Sequence, residues 1–426
     1  MKTSSKKIIL AFILIFLILF LVIFIKFQDP IKLKFYVNKY LWPYTPIKIQ
    51  VILKTFYDDK YSKKFLNDYN VKFLPDTQLT KLDFKKYELD FLTSSIGIYN
   101  KNTVRKSFYI ELVENEVWII DNIGSVYALD KSKNFKKETK IKNYRKIASN
   151  IKPYQILDTL IVENDIYFSF VSKTDDCFRL NIHYSKIGKD ELNFKEFYSP
   201  SECMNSVIQG GRMQKYLHKN SQGLLFTVGD SSTPDSIGGD AQDDNSIFGK
   251  ILFKEFTNNN SVIIVSKGHR NPQGLLVDKS NIISTEHGPR GGDEINKIEL
   301  GGNYGWPIAS YGGSYFDKDL KYKKSHKDNG FKEPIFSFVP SIGISEIIKI
   351  PESFSESWKN NFLITSLNGR SFYRIKFSDE LDKILFSEQI FIGERIRDIK
   401  YDFNLELILI ALESEGNLGL IRNFRD

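Results

Sequence analysis

The chain has 426 residues and a formal net charge of +8, long enough for two or three domains or for one large all-β domain. Its lysines are scattered rather than gathered on a basic helix or in an RNA-binding motif. That distribution argues against nucleic acid as a partner and reads as a solvated surface.

Lys2, Lys6 and Lys7 precede the uncharged apolar run IILAFILIFLILFLVIFI at 8–25, which Lys26 closes. A run of this length can cross a bilayer. It is longer than the apolar region of a signal peptide, and no small-x-small cleavage site follows in KFQDP. The pattern therefore predicts an N-terminal transmembrane helix within 1–26, kept as an anchor. Lysines flank the run on both sides, so charge does not set its orientation. Residues 27–95 are rich in Lys and aromatics without strict alternation and read as a short membrane-proximal segment, with YDDKYSKKFLNDY (57–69) a short helix.

From about residue 105 the pattern changes. SFYIELV, EVWIIDN, SVYALD, DIYFSFVS, FRLNIHYSKI, GLLFTVGD, GKILFKEF, SVIIVSKG, NFLITSL, SFYRIKF and LELILIAL are short β-rich runs divided by turn residues. They fall into six packets near 107–130, 155–190, 206–255, 262–300, 341–377 and 384–423. Repeated packets of this size predict an all-β propeller over 96–424, ahead of a pair of sandwiches. Cys177 and Cys203 are the two cysteines. Two readings stay open: one disulfide in an oxidising compartment, which would place the body outside the cytoplasm, or two unrelated buried thiols.

Chemistry-bearing residues crowd the second half. GHRNPQGL spans 268–275, and TEHGPRGGDEINKIELGGNYGWP spans 285–307. QGGR (209–212), LLFTVGD (224–230) and AQDDNSIFGKIL (241–252) come before them, and RIRD (395–398) after. In this order the segments resemble the soluble sugar dehydrogenases that use pyrroloquinoline quinone, the glucose/sorbosone and aldose dehydrogenase family. The resemblance covers about 205–424. It implies a six-bladed β-propeller facing the periplasm or cell exterior, with the quinone and calcium as cofactors. It also implies hydride transfer from a sugar C1 to the quinone and onward transfer of electrons to an external acceptor.

A quinone with three carboxylates calls for several guanidiniums, which pair with carboxylates bidentately. Arg270 and Asn271 match the family's cofactor-binding positions, and Arg395 and Arg397 match its carboxylate clamp. Alternation along a strand puts Arg395 and Arg397 on one face. Gly288 and Pro289 match positions whose carbonyl oxygens ligate calcium, a cation that takes hard oxygen donors. Asp293 and Glu294 suit either a structural calcium or the hydrogen bonding of a turn. NYGWP (303–307) reads as a packing and turn element.

The sequence departs from the family at two places. The position of the family's base, a histidine, holds Ile208, and the position of its lysine holds Asn368, with Arg370 two residues on as a replacement charge. Taking the proton of a sugar hydroxyl needs a base, and Asp230 is the one catalytic candidate that remains. Two readings follow: a sugar dehydrogenase, or a propeller that has become a non-catalytic binding or scaffold module.

Overall fold

The computed structural model describes residues 82–423 apart from 93–94, 97–103, 136–138, 176, 205–208, 231–238, 258–261 and 315–320. The expected anchor at 8–25, the segment 27–81 and Ile208 lie outside these residues. Among the described residues no helix is long and apolar enough to cross a membrane.

The β-rich runs form six sheets arranged as the blades of a propeller, antiparallel apart from two short parallel fifth strands, Glu191–Leu192 beside Arg145–Ser149 and Gly302–Asn303 beside Val262–Lys267. Blade one holds Phe108–Val113, Glu116–Asp121, Val126–Asp130 and Arg145–Ser149. Blade two holds Gln155–Val162, Asp165–Thr174, Cys177–Lys186 and Lys195–Tyr198. Blade three holds Gly210–His218, Ser221–Val228, Lys250–Glu255 and Val262–Lys267. Blade four holds Pro272–Asp278, Asn281–Glu286, Asp293–Ile298 and Phe336–Phe338. Blade five holds Ile344–Lys349, Phe362–Ser366, Ser371–Phe377 and Ile384–Phe391.

Blade six corrects the sequence reading of where the propeller begins. Its inner strands are Ile396–Asp402, Leu407–Leu412 and Asn417–Asn423, and its outermost strand is Leu82–Glu88. Leu82 pairs with Asn423 and Glu88 with Asn417. The strand thus comes from the segment read as membrane-proximal. Pairing the first described strand with the last closes the ring and leaves no open end between them.

The first strand of each blade faces the axis, and neighbouring first strands touch around the whole ring. A strand between two blades is buried on both faces, so it reads as a continuous apolar run. Leu407–Leu412 shows the consequence. Leu407, Leu409 and Ala411 pack against Phe108 and Ile110 of blade one, while Ile408, Ile410 and Leu412 pack against Leu363 and Phe372 of blade five. The same period of two builds an apolar core at every blade-to-blade junction.

The axis itself is polar. Arg212 of blade three donates to Asp158 Oδ1 at 2.9 Å, and its Nη1 lies 2.8 Å from Glu346 Oε2 and 3.7 Å from Asp398 Oδ1. Beside this group Lys400 reaches Glu111 at 3.2 Å. Burial pushes the Glu111 and Glu346 carboxyls up to about 7, against the pull of Lys400 and Arg212 respectively. Cys177 and Cys203 are paired, with Cα atoms 5.4 Å apart. The bond ties blade two to the connection that runs on toward blade three.

Candidate functional site

The connections that precede each inner strand and the hairpins between the second and third strands lie on one face of the ring. That topology gathers residues far apart in sequence. Arg105 precedes blade one, Arg270 and Asn271 precede blade four, and Arg395 precedes blade six. His287, Gly288 and Pro289 lie in the hairpin of blade four, Arg370 in that of blade five and Glu413 in that of blade six.

The centre of this face is a carboxylate held by arginines. Glu413 is fully buried. Its Oε1 accepts from Arg395 Nε at 2.5 Å, and its Oε2 accepts from Arg397 Nε at 2.8 Å. Arg105 Nη1 stands 3.9 Å from Oε1. Burial would push the Glu413 carboxyl up. Arg397, Arg395 and Arg105 outweigh it and hold the carboxyl far below the ordinary carboxylate range. Arg395 and Arg397 thus both reach Glu413, although Arg395 precedes the strand and the pairing shifts register between Ile396 and Asp398.

From this centre a chain of amides leads to blade four. Arg397 Nη1 donates to Gln273 Oε1 at 3.1 Å, and Gln273 Nε2 donates to Asn271 Oδ1 at 2.8 Å. Asn271 Nδ2 lies 3.3 Å from His287 Nδ1. Burial lowers the His287 imidazole to about 4, with Arg270 and Arg397 adding to the effect, so the ring is neutral near pH 7. Arg270 Nη1 donates to the His287 carbonyl at 3.1 Å.

Arg270, His287, Gly288, Pro289, Glu294 and Trp306 line a depression. Trp306 was read from sequence as packing only; it also forms a wall of this depression. The Arg270 guanidinium lies 5.3 Å from the Trp306 ring centroid, and Trp306 Nε1 donates to Asp230 Oδ2 at 2.7 Å. The Asp230 amide in turn donates to the Arg270 carbonyl at 2.8 Å. Behind Asp230 the buried Lys250 ammonium donates to the carbonyls of Asp240, Ala241 and Phe248 at 2.9, 3.2 and 2.7 Å. Desolvation lowers this lysine to about 8. It fixes the loop that carries Asp230.

Asp293 makes the hydrogen bonds of a turn. It accepts from Gly288 N at 3.1 Å, Ser341 Oγ at 2.5 Å and Ile344 N at 3.0 Å, which shapes the Gly288–Pro289 turn. Among the described residues no three His, Cys, Asp or Glu side chains are grouped to hold a metal ion. Asn368 is exposed, its amide 3.5 Å from the Ser341 carbonyl. The structure thus brings Asp230, Arg270, Asn271, Gly288, Pro289, Arg395 and Arg397 onto one face. It adds Arg105, Gln273, His287 and Glu413, which sequence reasoning did not select.

The profile of the glucose/sorbosone dehydrogenase family matches residues 158–422, more than half of the chain, and the protein belongs to that family. An aldose sugar dehydrogenase of Escherichia coli (strain K12) is 28% identical over 254 residues, covering 56% of this chain and 67% of that one. A Synechocystis protein of unassigned function is 30% identical over 216 residues, 46% of this chain and 52% of its own length. The chain therefore matches about half the length of the Synechocystis relative. The soluble aldose sugar dehydrogenase of Escherichia coli in its apo-form superposes with a TM-score of 0.65 at 18% identity, covering 81% of this chain and 100% of that one. The PQQ-bound aldose sugar dehydrogenase of Streptomyces coelicolor superposes with a TM-score of 0.53 at 17% identity, over 81% and 99%. At these identities the structural likeness speaks for the fold.

Proposed function

We propose that this chain is a sugar dehydrogenase that uses pyrroloquinoline quinone and calcium and oxidises an aldose at C1, passing the electrons to an external acceptor. The observation that carries the reading is the pair Arg395 and Arg397 on Glu413, with Gln273 and Asn271 bonded in line from Arg397. These donors fit a polycarboxylate. The names of relatives, an aldose sugar dehydrogenase and a quinoprotein glucose dehydrogenase of Acinetobacter calcoaceticus, point the same way; the latter is 45% identical over 78 residues, 16% of each chain. When bound, the quinone supplies a two-electron acceptor.

The chain's own residues divide the remaining work. Arg270, Asn271, Arg395 and Arg397 would hold the cofactor's carboxylates and carbonyls. The carbonyls of Gly288 and Pro289 would face calcium as hard oxygen donors. Neither accepts a backbone hydrogen bond among the described residues. Asp230, oriented by Trp306 Nε1, would take the hydroxyl proton. A non-catalytic binding propeller is the second reading, favoured by Ile208 at the position of the family's base.

Attachment to a membrane through 8–25, with the propeller outside the cytoplasm, belongs to the same proposal, and the Cys177–Cys203 pair supports an oxidising compartment. The test is to add calcium and the quinone to the full-length protein and follow melting temperature, then sugar-dependent dye reduction. A ligand that binds the native state alone raises the melting temperature. A calcium-dependent rise lost in Arg270→Ala and Arg395→Ala, with dye reduction by an aldose, supports the dehydrogenase. Binding without turnover supports the second reading, and no rise at saturating quinone overturns both cofactor assignments.

A further inference from the structure

Two of the sequence motifs, AQDDNSIFGKIL and NYGWP, meet in the fold. Gln242 of the first and Asn303 of the second pair through their side-chain amides. Asn303 Nδ2 donates to Gln242 Oε1 at 2.8 Å, and Gln242 Nε2 donates back to Asn303 Oδ1 at 3.1 Å. Gln242 Nε2 also donates to the Trp306 carbonyl at 2.6 Å. Turning the Gln242 amide over would set its oxygen against two acceptors and its nitrogen against a donor, so the network fixes one orientation. Asn303 Oδ1 accepts in addition from Gly305 N at 3.0 Å. Gly268, which opens GHRNPQGL, makes room for the pair. Its φ is +78°, and a Cβ there would collide with Asn303 Oδ1.

The pair does more than close a turn. The turn is already set by its own backbone, since Ile308 N and Ala309 N both donate to the Gly305 carbonyl at 2.8 Å and Trp306 N donates to the Gly268 carbonyl at 3.0 Å. Gln242 adds a tie to the hairpin loop of blade three, which joins Val228 to Lys250. Asp230 lies at the start of that loop and accepts from Trp306 Nε1 at 2.7 Å. One loop thus grips Trp306 at two points, by its carbonyl through Gln242 and by its indole N–H through Asp230. The indole also packs with Ala241 and Tyr322, the Tyr322 ring centroid 5.3 Å away. Two fixed points and a packed ring set the orientation of the indole. A carboxylate that takes a substrate proton needs its geometry fixed in this way.

We propose that Gln242, paired with Asn303, is a positioning residue. It holds Trp306 so that the indole N–H stays on Asp230, which in the dehydrogenase reading sets this carboxylate to take the hydroxyl proton. The proposal rests on that reading for the use of Asp230, while the indole contact is measured without any reaction.

The test uses full-length protein carrying isotope-labelled tryptophan, whose indole N–H groups give one NMR signal for each of the four tryptophans. Trp306→Phe identifies the signal of Trp306, and Asp230→Asn marks the direction in which it moves when the acceptor loses its charge. Gln242→Met keeps the length of the side chain and removes its donors. Gln242→Glu keeps the shape and the bond from Asn303 but loses the donation to Trp306, and it decides the matter if Gln242→Met does not fold. Both variants should move the Trp306 signal in the direction that Asp230→Asn moves it. Asn361→Ala, which removes an amide bonded to the Lys359 carbonyl in blade five, should leave it in place even where the melting temperature falls equally. In aldose-dependent dye reduction, Gln242→Met should lower kcat about tenfold or more while KM stays within about twofold. It should add nothing to the loss in Asp230→Asn.

A Trp306 signal unmoved in both Gln242 variants overturns the proposal, whatever the turnover. A moved signal with kcat unchanged in both variants leaves a structural tie and overturns it as well. If the signal moves and the unaltered protein reduces no dye, the grip on Asp230 stands and the dehydrogenase reading falls.

Discussion

Arg397 and Gln273 are joined across the mouth of the propeller by a 3.1 Å hydrogen bond, although they lie 124 residues apart in the chain. The bond links blade six to blade four. It also joins the two halves of the site, since Gln273 holds Asn271 by its other end. RIRD and GHRNPQGL are therefore parts of one structure. Gln273→Leu should uncouple them, leaving Arg397 held by Glu413 but without its lateral partner. We expect quinone affinity to fall about tenfold, in line with losing one hydrogen bond to a charged group, while the melting temperature moves little. Calorimetric titration beside a melting curve checks both halves; unchanged affinity would detach Gln273 from the site.

Arg212 should matter more for stability than any residue of the depression. It is almost fully buried and serves Asp158, Glu346, the Gln273 carbonyl and the Arg397 carbonyl. Arg212→Met would leave buried carboxylates without their cation. Removing one partner of a buried ion pair costs about 3–5 kcal/mol. Urea unfolding should show a loss of that order. A loss under 1 kcal/mol would mean that the acids take up protons at little cost.

How much of this was legible beforehand differs by element. The continuous apolar runs LILIAL and FLITS mark strands buried between blades, so the six packets are visible. Their boundaries are displaced by one strand. Val262–Lys267 and Ile384–Phe391 end blades three and five, yet read as the beginnings of the packets after them. Leu82–Glu88 was missed because only one edge of an outermost strand is paired, and LDFKKYE carries exposed lysines instead of alternation. Arg270, Asn271, Arg395 and Arg397 came from motifs. Glu413 could not: in LESEG it reads as a hairpin acid, and only the pairing of blade six's first two strands sets it between arginines 16 and 18 residues away. Arg105, from the connection into blade one, needs ring closure as well.

The Cys177–Cys203 bond encloses a sequence separation of 26 residues. A loop of that size restrains the unfolded chain by about 3 kcal/mol. The double variant Cys177→Ala, Cys203→Ala should lose stability of that order in urea unfolding. Reduction of the unaltered protein should produce the same loss, and no further loss in the variant.

The axis predicts a pH dependence with a definite sign. Burial raises the Glu111 carboxyl to about 7, despite Lys400 at 3.2 Å and a hydrogen bond from Thr159 at 2.9 Å. A carboxyl raised on folding contributes stability that is fully present below its unfolded value, 4.5, and is lost as pH rises through 7. Glu111→Gln keeps the shape and removes the titration. Its stability relative to the unaltered protein should therefore rise with pH between 4.5 and 7, by about 2–3 kcal/mol over the interval. Below pH 4.5 the difference should be flat. Denaturant melts at half-unit pH steps measure it directly. A difference that falls with pH would show that Lys400 holds Glu111 ionised throughout, making the buried pair a fixed charge pair rather than a proton-binding one.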